Sequence, residues 1–462
     1  MKKQLQIFFD FLRFCIGSDS EIPSSLKEAD WKELYAIAKK QCLVGILFDG
    51  IKKLPAEHVG MEKELLLQWM AESQILEKAN VRLNDAAIQV SEWFRKKGFR
   101  TCILKGQGNA LMYPNPYSRT PGDIDIWVEG GDKRVISFVR SISPHEKACY
   151  HHIEFPSYKG VEVEVHYRPS FLLCFWHNRK LQKYYERVKE EQFSHRVMLG
   201  EQGEIAIPTV EFNLIFQLTH IFSHLMNEGI GLRQLVDYYY VLCDFYKVYQ
   251  KSSKITPSLF TLKEGDFSNH PVPLSKEGST FSPSPSSSGS GDVTAPSRRS
   301  EPLRSKVGGP SKVSPNCAGW DRLSIEGYNS AGSTTAVTSS ASTALDVVQK
   351  ELKELGLWKF AGGIMYIMQE VFGMPTSRLI VPPNEKYGRF VLNEVLEAGN
   401  FGRHDARNRF GRSQLGHNLQ RVYRDIRLVR YFPAEALCEP LFRIWHFFWR
   451  LKHRRQSLGV FS

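Results

Sequence analysis

The stretch GDIDIWV, Gly122 to Val128, constrains the fold of this chain more than any other. Its β-branched and aromatic residues read as a strand, in which alternate side chains face opposite ways. Ile124 and Ile126 then turn toward a core, while Asp123 and Asp125 turn together to the other face. Two carboxylates about 7 Å apart on one face repel each other unless positive charge lies between them. Magnesium, a hard cation that takes oxygen ligands and can bridge to phosphates, meets that need. The strand must therefore sit with one face under apolar packing and the other lining a polar site.

The neighbouring sequence supplies partners for such a site. FRTCILKG (99–106) reads as a preceding strand, and the turn LKGQGN that ends it can present backbone N–H groups to a phosphate. Arg119, four residues before Asp123, offers a planar guanidinium able to hold phosphate oxygens in a two-pronged grip. Downstream, VEVEVHY (161–167) reads as a third strand with Glu162 and Glu164 on one face. An acid on a strand about 4.8 Å away completes a site for two metal ions. DKRVISFVRSI reads as a helix between the second and third strands.

Around this α/β unit the chain reads as helical. Apolar residues recur at three- and four-residue spacing through 1–98, ending at Gly98, and again in 201–251 and 346–462. The opening MKKQLQIFFDFLRFCIG looks like a signal peptide, but Asp10 and Arg13 interrupt it and no small-residue cleavage pattern follows. It is read as an amphipathic helix. Residues 252–345 differ: 23 of the 91 positions from 252 to 342 are serine, and no apolar period survives. Such a segment buries too little apolar surface to offset its ordering entropy, so a disordered insertion is expected. The expected divisions are thus 1–98 helical, 99–200 α/β core, 201–251 helical, 252–345 insertion and 346–462 helical with a basic tail.

Composition narrows the setting. No run of eighteen apolar residues predicts a membrane span. Eight scattered cysteines without a CxxC pair argue against a disulfide framework or zinc ribbon and fit a reducing, cytoplasmic location. Of the net charge of +12, residues 401–462 carry most, with 13 Lys and Arg against four Asp and Glu. That excess suits an anionic membrane surface or nucleic acid, and a solvated basic helix face explains it as well. The tail LFRIWHFFWRLKHRR suits either an interfacial helix or a core helix with a basic end, and we adopt the core reading. His220 and His224 share a helix face but lack the glutamate of HExxH and a third ligand, so a polar role is expected rather than zinc. Arg233 and Asp237, also four apart, are expected to pair with each other. His151 and His152 receive no role.

Taken together, LKGQGNALMYPNPYSRTPGDIDIWV, HHIEF and VEVEVHYRP resemble the bacterial nucleotidyltransferase family proteins, a largely uncharacterised group of the polymerase-β-like nucleotidyltransferase superfamily. The resemblance covers residues 1 to about 250 and resumes near 346. It implies an α+β fold: a small mixed-sheet nucleotidyltransferase core flanked by helical regions. By this similarity Lys105, Gly106 and Gly108 form the phosphate-side turn, and with Arg119 they make up the nucleotide-binding set. Asp123 and Asp125 match the metal-binding pair. Glu164, in an acid-x-His pattern with His166, matches the third catalytic carboxylate. Gln107 and Asn109 stand where the superfamily commonly carries serine. The implied activity is transfer of a nucleoside monophosphate from an NTP to an unidentified acceptor hydroxyl, with release of pyrophosphate. Two Mg2+ ions, or Mn2+, are the implied cofactor. Two other readings remain: a catalytically degenerate nucleotide-binding or partner-docking module, and an adaptor acting through the basic tail.

Overall fold

Strict alternation in two strands builds the layer on which the site rests. The computed structural model describes residues 3–201, 203–252, 341–405, 407 and 414–456. Its main sheet contains β1 (Thr101–Ile103), β2 (Ile124–Val128), β3 (His152–Tyr158) and β4 (Val161–His166), in the order β1-β2-β4-β3. β2 runs parallel to β4, and the other two pairings are antiparallel. Ile124, Ile126 and Val128 join Val161, Val163 and Val165 in one apolar cluster. The alternate residues Asp125, Glu164 and His166 therefore emerge together on the opposite face.

Four helices precede the sheet: α1 (Lys3–Ile16), α2 (Trp31–Lys40), α3 (Val44–Ile51) and α4 (Lys63–Lys96). α4 covers the valine-lined face with Leu83, Val90 and Phe94. Gly98, at φ +79°, turns the chain from α4 into β1, a left-handed conformation that favours glycine. Within the α/β region lie α5 (Gln107–Ala110), α6 (Gly131–Ile142), α7 (Phe175–Ser194) and a hairpin of β5 (Arg196–Met198) and β6 (Glu204–Ala206). α8 (Val210–Asn227) and α9 (Leu232–Ser252) follow, then α10 (Ala341–Glu354), α11 (Trp358–Glu370), α12 (Glu385–Ala398), α13 (Gln414–Leu428) and α14 (Pro433–Gln456).

The sheet's second face belongs to a larger core. Cys102, Leu104 and Trp127 pack there with Phe8 and Phe11 of α1, Phe216 of α8, Tyr238 of α9 and Phe360 of α11. Burying each large apolar side chain contributes about 1.5–3 kcal/mol relative to leaving it exposed. Arg13 of α1 reaches the carbonyl of Val371 at 3.2 Å and that of Glu370, which joins the start of the chain to its last third. Helices from both ends thus share one interior.

The α+β class and the small mixed sheet agree with the sequence reading. β3 is an addition to the three expected strands. Pro156 reads locally as a breaker, but β3 lies at the sheet edge, where an absent N–H leaves no ladder bond unmade. Residues 253–340 of the expected disordered insertion lie outside the described residues. Its margins are helical: Ser252 closes α9, and α10 opens at Ala341, where Ala344, Val348 and Leu352 reach the core. α14 is split between the two readings of the tail. Phe442 is buried in the core, yet Ile444, Phe447 and Phe448 are exposed. Among the described residues no helix is long and apolar enough to cross a membrane.

Candidate active site

The register of β2 on β4 sets Asp125 opposite Glu164. Asp123 lies just before β2, and oxygens of Asp123, Asp125 and Glu164 all fall within 4.8 Å of one another. Glu162 is exposed one pleat away and does not join the group. The loop that delivers Asp123 is held from below: Nδ2 of Asn80, on α4, donates to the carbonyls of Tyr117 and Arg119, both at 2.8 Å.

Charge around the three acids is finely divided. The Asp125 charge, then burial, pushes the Asp123 carboxyl above its usual range. Burial alone would also raise Asp125, but Lys105, His166 and His220 outweigh it and hold this carboxyl well below the ordinary value. Lys105 Nζ donates to Asp125 Oδ2 at 2.9 Å and to His220 Nε2 at 3.2 Å. His166 Nε2 lies 2.9 Å from Asp125 Oδ1 and 3.4 Å from Glu164 Oε2, while its Nδ1 faces the Arg168 carbonyl at 3.3 Å. Burial lowers the His166 pKa, yet the hydrogen bonds to Asp125 and Glu164 prevail and bring it up to about 9. His166 thereby spans the two carboxylates, with its closer contact on Asp125.

The cluster opens on a cavity of about 470 Å3. Lys105 and Gly106 line it with the acids, as does Asn109, whose Oδ1 accepts from Gln217 Nε2 at 2.8 Å. Gly106 has φ +51°, so its place at the end of β1 suits glycine for conformational reasons. Gly108 turns away from the cavity. A Cβ there would stand 3.1 Å from Cγ2 of Ile207, so this glycine permits close packing of α5 on the segment after β6.

Arg119 reaches the cavity wall in a different state from the one the sequence suggests. Its Nε and Nη2 each donate to a different oxygen of Asp237 at 2.8 Å, which closes the fork on a protein carboxylate. Asp237 also accepts from the Tyr113 hydroxyl at 2.6 Å. The expected Arg233–Asp237 interaction persists between the charges, while the direct hydrogen bonds of Asp237 go to Arg119 and Arg233 Nη1 donates to the Thr120 carbonyl at 3.1 Å. His220 and His224 both face the cavity, their rings 4.3 Å apart. Among the described residues they join no group of three ligating side chains.

Several cavity residues escaped the sequence reading. His152 pairs across the sheet with His166, and its Nδ1 lies 3.2 Å from Glu164 Oε2. The HHIEF stretch carried it, but its direction depends on β3 being a strand. Arg403 and Arg421 reach the cavity rim from the last third of the chain, so part of the basic excess lies at the entrance to the site while remaining exposed to solvent.

Residues 27–249 match the sequence model of a family described as "Uncharacterised nucleotidyltransferase". This segment is a nucleotidyltransferase-family domain. No match was found among curated proteins or among solved structures. The matched segment contains all three clustered acids and Lys105, whereas Arg403 and Arg421 lie beyond it. In this nucleotidyltransferase-family domain the donor set is three carboxylates, hard oxygen ligands that suit magnesium or manganese. The raised Asp123 carboxyl, driven first by the Asp125 charge, is the repulsion that a divalent cation relieves. The residues therefore fit the metal that the family implies.

Proposed function

We propose that this protein moves a nucleoside monophosphate from an NTP to an acceptor hydroxyl with release of pyrophosphate. The carrying observation is the meeting of Asp123, Asp125 and Glu164 within 4.8 Å at the mouth of a cavity that also holds Lys105. These three carboxylates would hold two magnesium ions, with manganese able to replace them. When bound, such ions supply Lewis acidity at the phosphoryl group and lower the pKa of the attacking hydroxyl. His166 holds Asp125 at 2.9 Å and lies 3.4 Å from Glu164, which keeps the two carboxylates on one side of the cavity. Lys105 supplies positive charge for phosphate oxygens, and Gly106 leaves the adjacent backbone open. Arg119 acts in this reading as a braced wall, since Asp237 holds the nitrogens that would grip phosphate. Helices α8 and α13 line the same cavity through His224 and Arg421 and would shape its acceptor side.

The test is pyrophosphate release from each of the four NTPs with magnesium or manganese, against a metabolite extract. Metal-dependent release that disappears in Asp125→Asn is the expected result. NTP binding without release in every combination would make the protein a binding module instead.

One surface favours a second partner. Leu437, Ile444 and Phe448 are 66%, 59% and 62% exposed along one face of α14, which also carries exposed Arg450 and Lys452. An apolar stripe beside basic residues suits an anionic membrane surface better than nucleic acid. Flotation with anionic but not neutral vesicles, lost in Ile444→Ser/Phe448→Ser, is expected; equal flotation of both proteins would refute it.

A further inference from the structure

A second cluster of ligating side chains lies where the start of α7 meets the first turns of α14. Cys174 is the N-cap residue of α7, and His177 follows three positions on. Glu435 and Cys438 stand three apart near the start of α14. Residues at that spacing share a helix face. One helix therefore presents Cys-x2-His and the other Glu-x2-Cys. The pairs meet: His177 Nδ1 lies 3.0 Å from Glu435 Oε1, and ligand atoms of Cys174, His177 and Glu435 all fall within 4.8 Å of one another. Cys438, three positions after Glu435 on the same face of α14, stands beside this group of three.

We propose that Cys174, His177, Glu435 and Cys438 form a four-coordinate zinc site that ties α14 to α7. Two sulfurs, one imidazole nitrogen and one carboxylate oxygen are a borderline-soft set that selects zinc over magnesium or calcium. Zinc bonds of about 2.0–2.3 Å in a tetrahedron place ligand atoms about 3.3–3.8 Å apart. The ligand atoms of Cys174, His177 and Glu435 are already close to that size, and a turn of the Cys438 side chain brings in the fourth. Binding deprotonates both thiols, and the two protons leave to solvent.

The surroundings support the ligands in the manner expected around a metal. Glu435 is 4% exposed, and its Oε2 accepts from the N–H groups of Leu173 at 2.7 Å and Cys174 at 2.8 Å. Those bonds fix the carboxylate and leave Oε1 directed at His177. Helix capping alone explains Glu435 and its contact with His177, but it requires neither cysteine.

The site is independent of nucleotidyl transfer, and its test does not use activity. Full-length protein from zinc-supplemented culture, passed through gel filtration without chelator, should retain about one zinc per chain by elemental mass spectrometry. Cys174→Ser and Cys438→Ser should each lose it. Cobalt substitution adds a readout specific to sulfur ligands, an intense near-ultraviolet thiolate-to-cobalt band. That band should persist in Cys149→Ala, whose thiol lies 3.5 Å from His151 beside the carboxylate site, and vanish in the two serine variants. If those variants fail to fold, the wild-type protein still decides the matter. A wild type that retains no zinc or gives no thiolate band overturns the proposal, as does a band that is lost with Cys149.

Discussion

Asp237→Ala separates a structural ion pair from a substrate clamp. Arg119 is 3% exposed and Asp237 5%, and two 2.8 Å bonds join them. Burial alone would raise the Asp237 pKa; Arg119 outweighs it and holds the carboxyl below its usual range. Removing the carboxylate leaves a buried guanidinium without its bidentate partner and the Tyr113 hydroxyl without its acceptor. Breaking one side of a buried pair costs about 3–5 kcal/mol, and an orphaned hydroxyl about 1–3 kcal/mol. These overlap, so we expect a total loss of about 4 kcal/mol. Against a typical stability of about 5–15 kcal/mol, that is a large fall in urea midpoint. Arg119→Lys keeps the charge but not the fork, and should lose about 1–3 kcal/mol. Arg119→Met/Asp237→Leu should recover most of the loss, because apolar groups of similar volume replace a buried pair with little penalty. Since the folded pKa of Asp237 is depressed, its contribution is complete above the unfolded value near 4 and declines as pH falls through the folded value. The gap between wild type and Asp237→Asn should therefore narrow in acid. Urea unfolding followed by circular dichroism, with NTP affinity measured on the same proteins, checks each step. Wild-type midpoints for Asp237→Ala and Arg119→Lys, together with tenfold weaker NTP binding, would refute this reasoning and make Arg119 a phosphate clamp.

Asp123→Asn and Glu164→Gln should preserve metal-free stability, and each should abolish the thermal shift produced by magnesium plus NTP, whereas Glu162→Gln should retain it; unfolding of the metal-free Asn variant would make Asp123 structural. Asp425 of α13 has its carboxyl pushed up to about 7, first by burial and then by Glu439 of α14. A raised carboxyl contributes stability below its unfolded pKa and loses it as pH rises to the folded value, so stability attributable to this contact should decline between about pH 4 and 7. Asp425→Asn should flatten that part of the pH–stability curve, and an unchanged slope would remove Asp425 as its source. Replacing residues 253–340 with a short Gly/Ser linker should leave the melting temperature nearly unchanged, because closure entropy grows only with the logarithm of loop length; a large drop would show that the segment supports the fold.

How much was legible in advance differs from residue to residue. Alternation in GDIDIWV and VEVEVH assigned valine and isoleucine to one face and the acids to the other, because the pleat is a local property of the backbone. The end of α4 at Gly98 was equally local. Gly106 and Gly108 look alike in LKGQGN, yet only Gly106 lines the cavity, since Ile207, far along the chain, occupies the space beside Gly108.

What the sequence determined by itself is the set of faces: which side chains leave a strand or helix together, and hence that acids accumulate opposite a hydrophobic layer. What the tertiary structure decided is which faces meet. The β2–β4 register put Asp125 opposite Glu164 rather than Glu162. The packing of α9 gave the direct hydrogen bonds of Asp237 to Arg119 rather than to Arg233, four residues away on the same helix. The packing of α14 on α7 brought Glu435 to His177 across most of the chain. Backbone periodicity repeats within a few residues and can be read along the chain. The partner of a charge is whichever group folding carries within a few ångströms, and sequence separation sets no limit on that.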